Sequence, residues 1–282
     1  MQVHRKITQE IGGLTYVATM RHEVAGNGTV SIGRIFSRAF SFIAKYPLIT
    51  FGSAVLFGAI PSVLSQVLVV SQAANSDEAN TNAAIGFFAV QMLLAAVSLV
   101  GSGLMQAIMT RGLVMAHEGS RPTFGQCLSQ GLRVALPVVG LTLLWVMGVA
   151  LGILFVIVPG IILGCMWAVC VPALVEERTG VFGAFSRSRE LTRGHRWKIL
   201  GLQVVVLITF YLVLAVFGLV GLASTSTAAL EDGSFQMAVI ASSALSGLVF
   251  GLLWATIQPS LFVELRDAKE GGGAGELAQV FS

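Results

Sequence analysis

The chain has 282 residues, of which 55% are hydrophobic and only 11% charged, too little polar material to dress a water-soluble fold. Its mean hydropathy of +0.83 places it in the membrane class. The net charge of +3 and the pI near 9.0 suggest an anionic partner. Placement of the cations along the chain argues against nucleic acid, because sorting of charge across a bilayer already accounts for it.

In chain order, residues 1–30 lack the apolar core of a secretory signal peptide and read as a flexible N-terminal tail. Helical patterning begins only after Gly28, which makes Met20 a candidate start. From residue 31, Ile32, Ile35, Phe36, Ala39, Phe40, Ile43 and Tyr46 recur at helical spacing, with Arg34, Arg38 and Lys45 largely on the opposite face. This predicts an amphipathic helix lying in the membrane interface with its basic side towards anionic headgroups.

A spanning helix needs about 20 apolar residues. Six stretches qualify: 47–70, 84–109, 134–158, 160–175, 199–223 and 237–263, all free of Asp, Glu, Lys and Arg. Pro61 falls within the first. Pro159-Gly160 is expected to form a tight hairpin between the third and fourth. Residues 267–282, ending GGGAGELAQVFS, read as a flexible C-terminal tail.

All 17 basic residues lie before the first span, between the second and third, between the fourth and fifth, or after the sixth. The alternate connections hold Asp77, Glu78, Glu231 and Asp232 instead. The positive-inside rule then puts both termini in the cytoplasm of a bacterial-type inner membrane.

Three stretches resemble one another: SIGRIFSRAFSFIAKYPLITFG from 31, TFGQCLSQGLRVALPVVG from 123, and VFGAFSRSRELTRGHRWKILG from 181. Each is followed by two spans. The exit WAVCVPALVEE at 167–177 also aligns with WATIQPSLFVE at 254–264, and MQAIMTRGLVM at 105–115 keeps part of the pattern. The expected architecture is therefore all-α: a polytopic six-helix membrane bundle at 31–266, built from three parallel pseudo-repeats. They run about 31–115, 123–177 and 181–264, each an interfacial amphipathic helix plus a transmembrane hairpin.

Candidate contacts for headgroups or a cytoplasmic partner are Arg34, Arg38, Lys45, Arg187, Arg189, Arg193, Arg196, Trp197 and Lys198. Trp197 stands where an interfacial aromatic would anchor the fifth span. Intramembrane polar candidates are Gln66, Gln91 and Gln258, which can bond between helices or line a path. Gly148 and Gly152, Gly160 and Gly164, and Gly247 and Gly251 have the spacing of close helix packing. No metal site or cofactor is expected: His4, His22, His117 and His195 lack ligand spacing, and Cys127, Cys165 and Cys170 read as packing residues. Glu176, Glu177 and Glu264 could do acid–base work, although glutamates at span ends more often pair with arginines.

Residues 158–200 carry a Val-Pro-Gly entry, a Trp-to-Pro helix, a Val-Glu-Glu exit, Ser-Arg-Ser, then Leu-Thr-Arg-Gly and Arg-Trp. In these pieces the chain resembles the membrane-domain family of glycerophosphoryl diester phosphodiesterases and its YciC-like multi-pass relatives. The resemblance implies the membrane part only. His195-Arg196-Trp197 lacks the glycine of that family's His-Arg-Gly catalytic motif, and no barrel of about 250 residues follows. The leading expectation is a non-enzymatic membrane module contacting anionic lipid headgroups or a cytoplasmic partner. The alternative is a transporter or lipid-moving protein using the centre of the bundle.

Overall fold

The structure is a computed structural model describing residues 30–74, 81–155, 157–223 and 234–280. The N-terminal tail and the acidic residues 77, 78, 231 and 232 lie outside the described residues. All regular structure within them is helical, and six helices are long and apolar enough to cross a membrane. Their outer faces are bare hydrocarbon: Phe88, Met92, Leu136, Leu154 and Leu212 are all exposed. A continuous apolar surface of this kind is stable against lipid and not against water.

The first interfacial helix, α1 (Ile32–Lys45), leads at Tyr46 into the first span. That span is α2 (Pro47–Ala54), a π-helical turn at Val55–Ala59, and α3 (Ile60–Ala74). Pro61 accounts for the wide turn, since its ring cannot sit against the carbonyl four residues back. Ser62 caps one loosened carbonyl by donating to Gly58 O at 2.8 Å. The second span, α4 (Thr81–His117), has 37 residues and is about 55 Å long, well beyond the roughly 30 Å hydrocarbon layer. Its last turns therefore stand clear of the spanning region.

The second interfacial helix, α5 (Phe124–Arg133), precedes the third span, α6 (Ala135–Phe155). α6 ends at Phe155 and the next helix is already under way at Ile157, ahead of Pro159-Gly160. Those two residues fall in the first turns of α7 (Ile157–Met166), where a proline is tolerated. Gly152 and Gly160 set this hairpin's spacing: a Cβ on Gly152 would come within 2.9 Å of Gly160 Cα.

The fourth span is not one helix. It breaks at Trp167–Val169 and resumes as α8 (Cys170–Glu177). The third interfacial helix, α9 (Gly180–Thr192), then leads through a turn with Gly194 at φ +92° into the fifth span, α10 (Arg196–Ala223). The last helix, α11 (Ser234–Val280), continues through 267–280, where a tail was expected, and Asp267 and Glu270 are ion-paired there. Intrahelical bonding tolerates the glycines once the preceding turns are anchored.

The interfacial helices gather at the charged end of the bundle, two of them against the span exit just before them in the chain and the first against the last helix. α5 packs on α4, α9 on α8, and α1 on α11. α1 buries Ile35, Ala39 and Phe42, so much of its apolar stripe is covered by protein rather than lipid.

Candidate functional site

Two features stand out: a polar girdle at the charged end, and a cavity in the centre of the bundle about 10 Å further in, six or seven residues at 1.5 Å each.

The girdle ties each interfacial helix to its neighbouring exit. Glu264, its side chain 4% exposed, accepts from Arg34 Nε at 2.8 Å and from the Ser31 backbone N–H at 3.2 Å, and lies 3.7 Å from Arg38. Arg38 also faces Asp267 at 3.6 Å, and Asp267 faces His117. Arg187 donates from Nε to both oxygens of Glu177 at 2.8 Å and pairs with Glu190 and Glu270. Partial burial works against the Arg187 charge, but the carboxylates of Glu177 and Glu270 outweigh it and raise its pKa. At the α4–α5 junction the polarity is reversed. Arg111 is on the exit helix, and it donates to Gln130 and to Glu176.

This girdle accounts for the polar pieces of the 158–200 segment. The break in the fourth span leaves Met166 O and Val169 N without helical partners. Ser188 Oγ donates to Met166 O at 2.9 Å and accepts from Val169 N at 3.3 Å, and Thr192 Oγ1 also reaches Met166 O. Irregular backbone at membrane depth persists only where protein or a lined cavity satisfies it. The Ser-Arg-Ser piece is thus a clamp: Ser188 holds the break and Arg187 holds Glu177.

The nominated contact residues divide accordingly. Arg34, Arg38 and Arg187 are engaged in internal ion pairs. Lys198 donates to Val30 O, and Lys45 lies over the Tyr46 ring. Arg189 and Arg193 are exposed. Trp197 is 85% exposed between Arg196 and Lys198, where α10 begins. Arg196 Nε and His195 Nδ1 are buried without hydrogen-bond partners. Glu176, Glu177 and Glu264 are each paired with an arginine, and Glu176 Oε1 is buried without a hydrogen-bond partner. Among the described residues no group of three potential metal ligands occurs. Cys127, on α5, is buried, and desolvation pushes its thiol up to about 11.

The central cavity measures about 130 Å³ and is lined from every span except the first. Its walls hold Trp145, Trp167 and Trp254, three of the chain's four tryptophans, with Gln106, Gln203 and Gln258 among them. Of the intramembrane candidates, only Gln258 lines it. Gln66 and Gln91 lie elsewhere, half-buried, and among the described residues neither is hydrogen-bonded to a neighbouring helix. Gln203 accepts from Cys165 Sγ and lies near Gly164 O, whereas Gln258 is 4% exposed and its Oε1 has no partner. The break in the fourth span brings Trp167 to the cavity. Gly148 makes room for that ring: a Cβ there would stand 2.5 Å from Trp167 Cζ3. The sequence signal for this cluster is Trp-Ala at both 167–168 and 254–255, with Gln-Ala at 106–107.

Residues 140–270 match the family model described as Membrane domain of glycerophosphoryl diester phosphodiesterase. The match begins within the third span and runs through the sixth, takes in the clamp and most of the cavity wall, and extends beyond the segment that carried the resemblance. No curated protein and no solved structure matches the chain.

Proposed function

We propose that this multi-pass chain is a non-enzymatic membrane module that holds anionic lipid headgroups at the corner between α9 and α10. One observation carries the reading. Trp197 lies almost wholly exposed at the N-terminus of a spanning helix, flanked by Arg193, Arg196 and Lys198, with Arg196 Nε unpartnered. An exposed indole at a span end sits at headgroup depth. The helix N-terminus and the cations attract phosphate there. In this reading residues 31–266 act as one domain of a bacterial inner membrane, with the charged end in the cytoplasm.

Three pseudo-repeats explain the girdle. Each exit packs on the interfacial helix of the next unit, and the third exit closes on the first helix. Gln106-Ala107, Trp167-Ala168 and Trp254-Ala255 take corresponding places, with every alanine buried.

The test leaves Arg187 intact, because it is structural. Neutralising the exposed Arg189 and Arg193 and the half-buried Arg196 to Gln removes three charges from this end of the molecule, each contributing about 1 kcal/mol near an anionic membrane. Co-purified anionic lipid, read by native mass spectrometry from mixed nanodiscs, is expected to fall roughly a hundredfold in retention. Unchanged lipid with loss of a co-purifying acidic protein would replace the headgroup by a partner; no change in either overturns the reading.

A second reading, movement of a substrate through the bundle centre, is favoured by the cavity and the broken fourth span. Discontinuous helices at lined cavities mark many transport sites.

A further inference from the structure

The geometry points to the central cavity as a binding site for an uncharged, hydroxyl-bearing ligand, held by Gln258 and its neighbouring amides between tryptophan walls. The proposal takes its location from the second reading above, but it requires binding only. The corner at Trp197 plays no part in it.

The lining sets the chemistry. None of its residues is Asp, Glu, Lys, Arg or His. Arg111, Glu176 and Glu264, further along helices that line the cavity, are ion-paired at the girdle, Arg111 with Glu176 and Glu264 with Arg34 and Arg38. A charged ligand would give up hydration with no opposite charge to meet it. A wholly apolar ligand would leave the amides unanswered. Gln258 is the decisive group: it is buried, and its Oε1 lacks a partner although most buried polar groups among the described residues are satisfied. Leaving such a group bare costs about 1–3 kcal/mol. A hydroxyl both donates and accepts, so it serves either end of an amide. Flat indole faces pack well against the C–H faces of a polyol.

The space suits this. About 130 Å³ holds several waters or one small polar group. At this depth the ligand could be a free polyol or the headgroup of a neutral lipid reaching in sideways, and both present the same hydroxyls.

Trp197 is the one tryptophan away from the cavity, so a Trp197→Phe chain reports on the cavity alone. In nanodiscs its indole emission would be titrated with glycerol, glucose, dioctanoylglycerol and tetramethylammonium. A saturable change with glycerol or glucose assigns a free polyol. A change with dioctanoylglycerol alone assigns a lipid headgroup. In either case Gln258→Met should weaken binding at least tenfold, with Thr142→Val as a second variant should the first fail to fold. No saturable change with any hydroxylated probe, or saturation by tetramethylammonium alone, overturns the proposal. Binding that survives both substitutions overturns it too. Ligand that binds but is not carried across vesicles would defeat the transport reading and leave this site standing.

Discussion

At the scale of single residues, Ser188 shows how a small polar side chain decides a membrane protein's shape. It is fully buried and answers both a stranded carbonyl and a stranded N–H where the fourth span breaks. Ser188→Ala removes both bonds at once, leaving Val169 N without a partner and Met166 O with only the longer bond from Thr192 Oγ1 at 3.3 Å. The expected cost is about 1–3 kcal/mol, because buried backbone groups pay their desolvation when unpaired. It is read as a lower unfolding temperature in detergent, with Ser129→Ala as a surface comparison whose hydroxyl donates to Gln126 O of its own helix. Equal stability of the two variants would show that the break does not depend on the clamp. The polar character of Ser188 was visible in the chain, but its partners were not. Met166 and Val169 are ordinary apolar letters until the helix between them opens.

At the scale of elements, the interfacial helices act as fasteners. Periodicity along 32–46 correctly separated an apolar stripe from a basic face. The stripe proved to be docked on α11, and Arg34 and Arg38 are turned onto Glu264. Amphipathic spacing records that one face avoids water; it carries no mark of whether lipid or protein covers that face. Glu264 is accordingly a structural anion. Glu264→Ala should release α1 from α11 and cost about 1.5–3 kcal/mol, the range for hydrogen bonds to charged groups. The loosening is measured as faster amide hydrogen exchange over 31–45. Protection there equal to the parent chain would mean that apolar packing alone seats the helix. The π-turn before Pro61 belongs to this scale too, since the proline ring displaces the carbonyl four residues back.

At the scale of the whole molecule, the girdle joins the first helix to the last and closes the bundle on one side. Sidedness is the property most open to direct measurement. A cysteine replacing Arg189 should be shielded from a membrane-impermeant thiol reagent in intact cells, and cysteines replacing Asp77 or Asp232 should react. The three native cysteines are buried, and desolvation pushes the Cys127 thiol up to about 11, so background labelling at neutral pH stays low. The opposite labelling pattern would invert the molecule and remove the basis for a headgroup site facing the cytoplasm.

Six crossings, all-helical architecture and the gathering of cations at alternate connections were legible in the order of residues, because each side chain is sorted individually between water and lipid. The central cavity was not legible. Gln66, Gln91 and Gln258 look alike along the chain, yet only Gln258 reaches it, together with Gln106 and Gln203. Which face of a uniformly apolar helix turns inward depends on how closely neighbours approach at points such as Gly101 against Phe57 and Gly148 against Trp167. Rotation and crossing are properties of packed pairs, and hydropathy, being nearly the same all round each span, carries no information about them.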